Sequence, residues 1–127
     1  MKRVIVAVQN SLVSEVVVSS LRRHGMVVES ASNDAPDGIA ILCRAFFADV
    51  LVMDVTRFGG GTFDNRMKAV EAVKQACGGI KVCLVCDNVS DREASFKVAN
   101  AKTMGVIDAF FYQSLPSDYI ADVIDTM

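Results

Sequence analysis

The sequence predicts an α/β protein in which five parallel strands form one doubly wound sheet with helices on both faces. Short, uniformly apolar runs alternate along the chain with longer segments whose apolar residues recur at helical spacing. The apolar runs begin about 25 residues apart, so each gap is long enough for a helical crossover. Strands that are apolar throughout are typical of a sheet covered on both faces, and the 52% hydrophobic content fits that arrangement.

The first two predicted strands flank one helix. A continuous apolar run at residues 4–8 predicts the first strand, and residues 26–28 predict a weaker second one. The helix between them is indicated by four apolar residues at helical spacing: Val13, Val16, Val17 and Leu21. We expect it to end with the cations of residues 22–24 in its last turn and Gly25 just beyond, because both features suit a helix C-terminus.

The middle of the chain predicts a helix, a strand and another helix. Residues 33–36 (Asn-Asp-Ala-Pro) are a helix-start signal. The apolar stripe behind that signal consists of Ile39, Leu42, Cys43 and Phe46. Residues 50–53 predict the third strand, which stops at Asp54, and the glycine run at 59–61 leads into the third helix. The apolar residues of that helix are Met67, Val70 and Val73.

The last third of the chain completes the pattern. Residues 80–86 predict the fourth strand, and residues 106–112 predict the fifth. Between them, residues 90–93 (Ser-Asp-Arg-Glu) predict a capping box, in which the serine and the glutamate satisfy each other's backbone donors at the start of the fourth helix. The final helix carries the apolar residues Ile120, Val123, Ile124 and Met127. With no linker in the pattern, we expect a single domain over residues 1–127.

Charge and hydropathy argue against two classes of partner. The formal net charge is −2, whereas domains that bind nucleic acid directly usually carry a clear basic excess. No segment approaches the ~18 apolar residues of a membrane span, and no cleavage site follows the basic start of the chain. The cysteines lie inside apolar stretches, which is typical of reduced thiols in a cytosolic protein: Cys43, Cys77, Cys83 and Cys86. We therefore predict a cytoplasmic protein without membrane contact or direct nucleic-acid binding.

Two segments resemble the receiver domains of bacterial two-component signalling. Residues 48–54 (Ala-Asp-Val-Leu-Val-Met-Asp) are similar to the receiver segment in which an apolar third strand delivers the aspartate that accepts a phosphoryl group. Residues 105–110 (Gly-Val-Ile-Asp-Ala-Phe) resemble the glycine-led approach to the fifth strand in that family. The order and the length of the elements agree with the family over essentially the whole chain.

The resemblance implies a flavodoxin-like fold and one receiver-like domain over residues 1–127, acting as a response-regulator module and not as an enzyme. It makes Asp54 the candidate phospho-acceptor, and the alternative is a plain strand-end carboxylate that caps nearby amides. The implied partner is a sensor histidine kinase or another signalling protein, and the family also allows a homodimer.

The charged residues that assist phosphorylation in receiver domains are replaced in this sequence. The family holds Mg²⁺ with a pair of acids after the first strand, and it contacts phosphate oxygens through a hydroxyl after strand four and a lysine after strand five. The residues at those positions are Gln9, Asn10, Cys86, and Tyr112 or Gln113. Amides are poorer Mg²⁺ ligands than carboxylates because they offset less of the ion's hydration. We therefore predict a pseudo-receiver with an impaired Mg²⁺ site, no resident cofactor and an output through protein–protein contacts.

Other motifs have plainer interpretations. Asn10 fits a helix cap better than a metal ligand. Cys83-Leu-Val-Cys86 matches C-x-x-C, but strand residues three apart face opposite ways, which disfavours a redox or zinc pair. His24 is expected to contact carbonyls at a helix C-terminus. The glycines at 59–61 fit a flexible loop better than an anion cradle, because the Lys-Ser/Thr of a nucleotide-binding loop is missing.

The alternative function is a small flavodoxin-like enzyme or a nucleotide- or ligand-binding domain. The Asp-x-His-x-x-Gly motif of cobalamin-binding proteins is absent after the first strand, and residues 9–11 contain no cysteine for a phosphotransfer subunit. A nucleotide-binding stress-protein type stays open, although no motif supports it.

Overall fold

The computed structural model describes residues 1–31 and 35–127, in which strands and helices alternate as the sequence predicts. The strands are β1 (Arg3–Ala7), β2 (Val27–Ser30), β3 (Val50–Asp54), β4 (Lys81–Cys86) and β5 (Ala109–Tyr112). The helices are α1 (Ser11–Arg23), α2 (Pro36–Phe46), α3 (Phe63–Ala76), α4 (Arg92–Thr103) and α5 (Ser117–Asp125), and a short 3₁₀ turn spans Gly59–Gly61.

The five strands form one parallel sheet in the order β2-β1-β3-β4-β5, which confirms the predicted doubly wound α/β fold. The chain moves outward from β1 to β2 and then returns past β1 to β3, so the direction of winding changes between β1 and β3. In open α/β sheets the functional crevice lies outside the carboxyl ends of the strands at such a point. The loops that follow β1 and β3 therefore meet at the edge where a site is expected.

Helices cover both faces of the sheet. Successive strand residues point to opposite sides, so each strand contributes apolar side chains to both layers of helices. Val4 and Val6 of β1 pack with α1 and α5 on one face, in a cluster that also contains Leu21. Ile5 and Ala7 of the same strand pack with α2, α3 and α4 on the other face. The alternation buries both faces of β1, which is why the sequence shows this strand as an uninterrupted apolar run.

Several helix ends lie where the sequence places them. α1 ends after Arg22 and Arg23, and Gly25 follows with φ of 84°. Pro36 is the first residue of α2, while Asn33 and Asp34 of the same start signal lie outside the described residues. Among the described residues, no helix combines the length and the apolar character needed to cross a bilayer.

The predicted capping box at the start of α4 is wrong by one residue. Asp91 is the capping residue, and its carboxylate accepts a hydrogen bond from the N–H of Ala94 at 3.1 Å. The N–H of Ser90 donates to the carboxylate of Asp87 at 3.0 Å, so the serine belongs to the preceding turn. Asp87 and Asp91 therefore accept the backbone N–H groups at this helix start, where the sequence predicts a reciprocal pair of Ser90 and Glu93.

The predicted start of the fifth strand is also wrong, since β5 begins at Ala109. Gly105 has φ of 77°, and the N–H of Val106 donates to the carbonyl of Ala101 at 2.9 Å. This geometry ends α4 and satisfies carbonyls of its last turn. Ile107 is buried in the same segment, so the apolar run extends beyond the strand itself.

Candidate functional site

Asp54 ends β3 and is completely buried, with 0% of its side chain exposed. Its Oδ2 atom accepts hydrogen bonds from the N–H groups of Gln9 at 3.0 Å and Asn10 at 3.4 Å. The carboxylate therefore holds the loop that follows β1, as a strand-end carboxylate that caps amides would. Its role as a phospho-acceptor stays a prediction.

The other carboxylate oxygen of Asp54 is paired with Arg66, which lies in the first turn of α3 and is also 0% exposed. Nη2 of Arg66 donates to Oδ1 of Asp54 at 2.8 Å and to the carbonyl of Ala7 at 3.0 Å. Nε of Arg66 donates to the backbone carbonyl of Asp54 at 2.8 Å. One guanidinium thus connects the carboxyl ends of β1 and β3.

Burying the Asp54–Arg66 pair is energetically costly unless every charged and polar group in it has a partner. Moving a carboxylate and a guanidinium out of water costs several kcal/mol per ion, and their attraction repays this only if the remaining donors and acceptors are satisfied. In the described residues, no buried side-chain nitrogen or oxygen lacks a hydrogen-bond partner. Removing one member leaves an unpaired buried charge, which typically costs about 3–5 kcal/mol.

The loop after β3 packs directly on Gln9, next to the buried pair. The hydroxyl of Thr56 donates to Oε1 of Gln9 at 3.1 Å, and the N–H of Thr56 donates to the carbonyl of Gly61 at 2.8 Å. A Cβ atom at Gly61 would overlap the Thr56 hydroxyl and come within 3.0 Å of Oε1 of Gln9. Glycine at position 61 therefore allows a close approach of backbone to side chains, a use that the sequence pattern did not indicate.

Asn10 caps α1, which confirms the interpretation from the sequence. Its side-chain oxygen accepts hydrogen bonds from the N–H groups of Leu12 at 3.1 Å and Val13 at 3.2 Å. The amide oxygen is thus committed to the first turn of the helix.

Among the described residues, the donor set around Asp54 does not fit a divalent cation. Both oxygens of the carboxylate already face positive charge or N–H groups, because Arg66 lies on one side and the loop amides lie on the other. The residues at the acid-pair positions, Gln9 and Asn10, supply neutral amides. A hard dication needs several oxygen ligands, with carboxylates among them, to replace its hydration. In the described part of the chain, no group of three or more His, Cys, Asp or Glu side chains is placed to hold a metal ion.

The two remaining positions of the receiver pattern pair with each other across β4 and β5. Cys86 lies opposite Tyr112 in the register of these strands, and the N–H of Gln113, the other candidate for the lysine position, donates to the carbonyl of Cys86 at 2.9 Å. Burial raises the pKa of the Cys86 thiol, and a hydrogen bond with Ser95 acts in the opposite direction. The Tyr112 ring packs edge-on against Phe110 at 5.7 Å between centroids. The carboxyl ends of β4 and β5 therefore carry a thiol and an aromatic ring, and neither of these positions holds a lysine.

Arg66 is the site residue that the sequence reasoning missed. The sequence predicts the third helix from Met67, Val70 and Val73, whereas the buried face of that helix consists of Arg66, Ala69, Val70 and Val73. Arg66 precedes Val70 by four positions and Val73 by seven, so it occupies the apolar stripe. A charged residue at a stripe position in the first turn of a helix was the available signal.

Two other interpretations from the sequence are confirmed. Cys83 and Cys86 belong to different core clusters on opposite faces of the sheet. His24 lies at the end of α1, where Nδ1 is 2.8 Å from the carbonyl of Ser20 and Nε2 is 2.9 Å from Oδ1 of Asp122. His24 therefore does not lie at Asp54, and Cys83 and Cys86 do not form a thiol pair there.

Comparison with known proteins gives matches in structure only. No protein-family model matches the chain, and no curated protein matches it. The CheY-like protein TadZ from Pseudomonas aeruginosa PAO1 is 14% identical, with 99% of this chain and 98% of that chain covered and a TM-score of 0.76. A response regulator from Desulfuromonas acetoxidans is 12% identical, with 99% and 95% covered and a TM-score of 0.74. A CheY-like receiver domain protein from Methanospirillum hungatei JF-1 is 19% identical, with 99% and 92% covered and a TM-score of 0.70.

These similarities extend over nearly the full length of both partners, and at such identities they show the fold. The described strand order and the helices on both faces agree with them. The chain therefore has the CheY-like, flavodoxin-like fold of response-regulator receiver domains.

Proposed function

We propose that this chain is a non-enzymatic, receiver-like signalling module that works through protein contacts, without Mg²⁺-dependent phosphorylation of Asp54. The observation that carries the proposal is the Asp54–Arg66 pair, in which both side chains are fully buried. The solved structures of the same fold are called response regulators or CheY-like proteins, which supports a signalling role for this chain.

The buried pair opposes phosphorylation in two ways. A carboxylate that attacks a phosphoryl donor needs an accessible oxygen, and here Oδ1 is held by Arg66 while Oδ2 accepts two N–H bonds. Separating the pair leaves two charges without their partners, and the removal of one member of a buried ion pair alone typically costs about 3–5 kcal/mol. At the two positions whose acids would hold the cation, this chain has the amides of Gln9 and Asn10. The loss of one contact that stabilises a transition state typically costs about 2.7–4 kcal/mol.

The same pair gives the module one stable arrangement of its strand ends. The Arg66 guanidinium donates to carbonyls at the ends of both β1 and β3, so it supplies internally the positive charge that a bound cation would bring. An output surface built on this framework would be available without a phosphorylation event. We therefore propose that the module is regulated by whether its partner is available to bind.

Exposed apolar side chains beside β5 support a protein-contact role. Phe96 on α4 is 79% exposed, and Met104 and Val106 are exposed in the segment between α4 and β5. Phe96 and Tyr112 line a shallow groove of about 280 Å³ between α4 and β5. Apolar surface of this kind is typical of partner-binding sites. We propose a signalling protein, such as a sensor histidine kinase, or a second copy of this chain as the partner.

Incubation with acetyl phosphate and Mg²⁺, followed by intact-mass measurement, tests the proposal. The wild-type chain and Asp54→Asn are treated in parallel with a conventional receiver domain as the positive control. We expect the control alone to gain the mass of a phosphoryl group. A phosphoryl adduct on the wild-type chain that is absent from Asp54→Asn would overturn the proposal and make Asp54 an active phospho-acceptor.

A further inference from the structure

Two cysteines from different helices line one crevice far from Asp54. Cys43 lies in the last turn of α2, and Cys77 directly follows the last residue of α3. The crevice between these helix ends has a volume of about 280 Å³, and its lining consists of Cys43, Arg44, Phe47, Ala48, Ala76 and Cys77. Because helices that connect parallel strands run back along the sheet, this crevice lies at the edge where the strands begin.

The two thiols differ in their access to solvent. Cys43 is fully buried, and burial raises its pKa to about 12, with a further contribution from the nearby Cys77. Cys77 is partly exposed, and Phe47 on the rim of the crevice is largely exposed. Since oxidants react with the accessible thiol first, Cys77 is the residue that a dissolved peroxide would meet.

We propose that Cys43 and Cys77 form a reversible disulfide that joins the C-terminal ends of α2 and α3. The Cys77 sulfur attacks a peroxide oxygen and the O–O bond breaks, which leaves a sulfenic acid on Cys77 and releases water. The Cys43 sulfur then attacks the Cys77 sulfur, the S–OH bond breaks, and the hydroxide leaves as water with the proton of the Cys43 thiol. Two thiols thus supply the two electrons that reduce one hydrogen peroxide to two waters.

The other cysteines have surroundings that do not lead to pairing. Cys83 and Cys86 lie on opposite faces of β4, and both are fully buried, so this pair offers an oxidant no accessible thiol. The Cys83 sulfur contacts the Met127 sulfur at 3.5 Å, and neither Cys83 nor Cys86 lines the crevice that Cys43 and Cys77 share. All four cysteines are free thiols in the structure.

The consequence of the disulfide is a covalent connection between α2 and α3, which pack against each other in the same core cluster. α3 carries Arg66 in its first turn and Cys77 just after its last turn, so the disulfide fixes the far end of the helix that holds the buried ion pair. The proposal does not depend on phosphorylation or on a partner, because it concerns only the reactivity of this pair of thiols.

Peroxide oxidation of the purified chain, followed by blocking of free thiols, intact-mass measurement and non-reducing peptide mapping, tests the proposal. We expect a monomer lighter by two hydrogen atoms, with the Cys43 peptide joined to the Cys77 peptide. A dithiol reductant should restore all four thiols. Cys77→Ala, which changes a partly exposed residue, should abolish the product, and Cys83→Ala should leave it unchanged.

Several results would overturn the proposal. They are the absence of any intramolecular disulfide, a disulfide that includes Cys83 or Cys86, a disulfide between two chains through Cys77, and oxidation of Cys77 to a sulfinic acid while Cys43 stays a free thiol. Persistence of the Cys43-containing disulfide in Cys77→Ala would also contradict it.

Discussion

Two regions of the molecule use the same kind of interaction in different surroundings. Beneath the ends of β1 and β3, Asp54 and Arg66 form an ion pair at 2.8 Å with both side chains fully buried. On the other face of the sheet, α1 and α5 are joined by pairs whose acidic members are mostly exposed: Arg23–Asp118 at 3.3 Å and His24–Asp122 at 2.9 Å. The distances are similar, but water screens the helix pairs and leaves the buried pair unscreened. Burial, more than distance, therefore decides which contact the fold depends on.

The largest effect is expected from breaking the buried pair on one side. Arg66→Met keeps much of the side-chain volume but leaves the Asp54 carboxylate buried without its cation. We expect the free energy of unfolding to fall by about 3–5 kcal/mol, measured by urea denaturation. Arg57→Met is the matched control, since the Arg57 side chain is mostly exposed, and it should change stability by less than about 1 kcal/mol. Equal effects of the two substitutions would contradict the special role of Arg66.

An intermediate effect is expected where the loop after β3 packs on Gln9. Gly61→Ala places a methyl group against the Thr56 hydroxyl and should destabilise the chain by about 1–3 kcal/mol. At Gly78 an added Cβ meets nothing within 4 Å, so Gly78→Ala is the control and should be nearly neutral. Thermal unfolding of the two variants in parallel measures the difference. If Gly61→Ala were as stable as Gly78→Ala, the close packing above the buried pair would be refuted.

The smallest effect is expected at the exposed pairs, as a dependence on pH. The Ser20 carbonyl raises the pKa of His24 most, desolvation opposes it, and Asp122 and then Asp118 add to the rise above 6.5. A raised pKa means that the folded state holds the proton more tightly than the unfolded state. The contribution of His24 to stability is therefore fully present below pH 6.5 and is lost as the pH rises through the higher folded-state value.

Unfolding midpoints of the wild-type chain and His24→Asn across this pH range measure the effect. The advantage of the wild type should be greatest at low pH and should shrink as the pH rises, and added salt should reduce it. An advantage that grew with pH would show that protonated His24 is not the stabilising form.

The order of the elements could be predicted from the sequence, because a strand such as β1 is buried on both faces and therefore appears as a continuous apolar run. The predicted boundaries of the elements are less accurate where neighbouring residues could each fill the same structural role. Asp91 caps α4 although Ser90 fits the motif, and the N–H of Val106 bonds to the last turn of α4 although Val106 continues the apolar run of β5. In both cases the choice depends on local backbone geometry, which composition does not specify.

The candidate site was only half predictable for a related reason. Asp54 could be located because it ends an apolar strand, and Asn10 could be identified as a cap from its place before a helix. Arg66 makes its bonds with a residue 12 positions away and with Ala7 on another strand. That pairing depends on how α3 packs on the sheet, so the sequence indicated the loss of acidic residues but not the internal cation that stands beside Asp54.

A double-mutant cycle on Asp54 and Arg66 measures whether the two residues stabilise the fold as one unit. The free energies of unfolding of the wild type, Asp54→Asn, Arg66→Met and the double variant are measured under one set of conditions. If the pair is a mutually dependent unit, the double variant loses much less stability than the sum of the single losses, with a coupling on the order of 2–3 kcal/mol. Additive losses, with a coupling near zero, would show that Asp54 and Arg66 act independently and that the buried pair is not a stabilising unit.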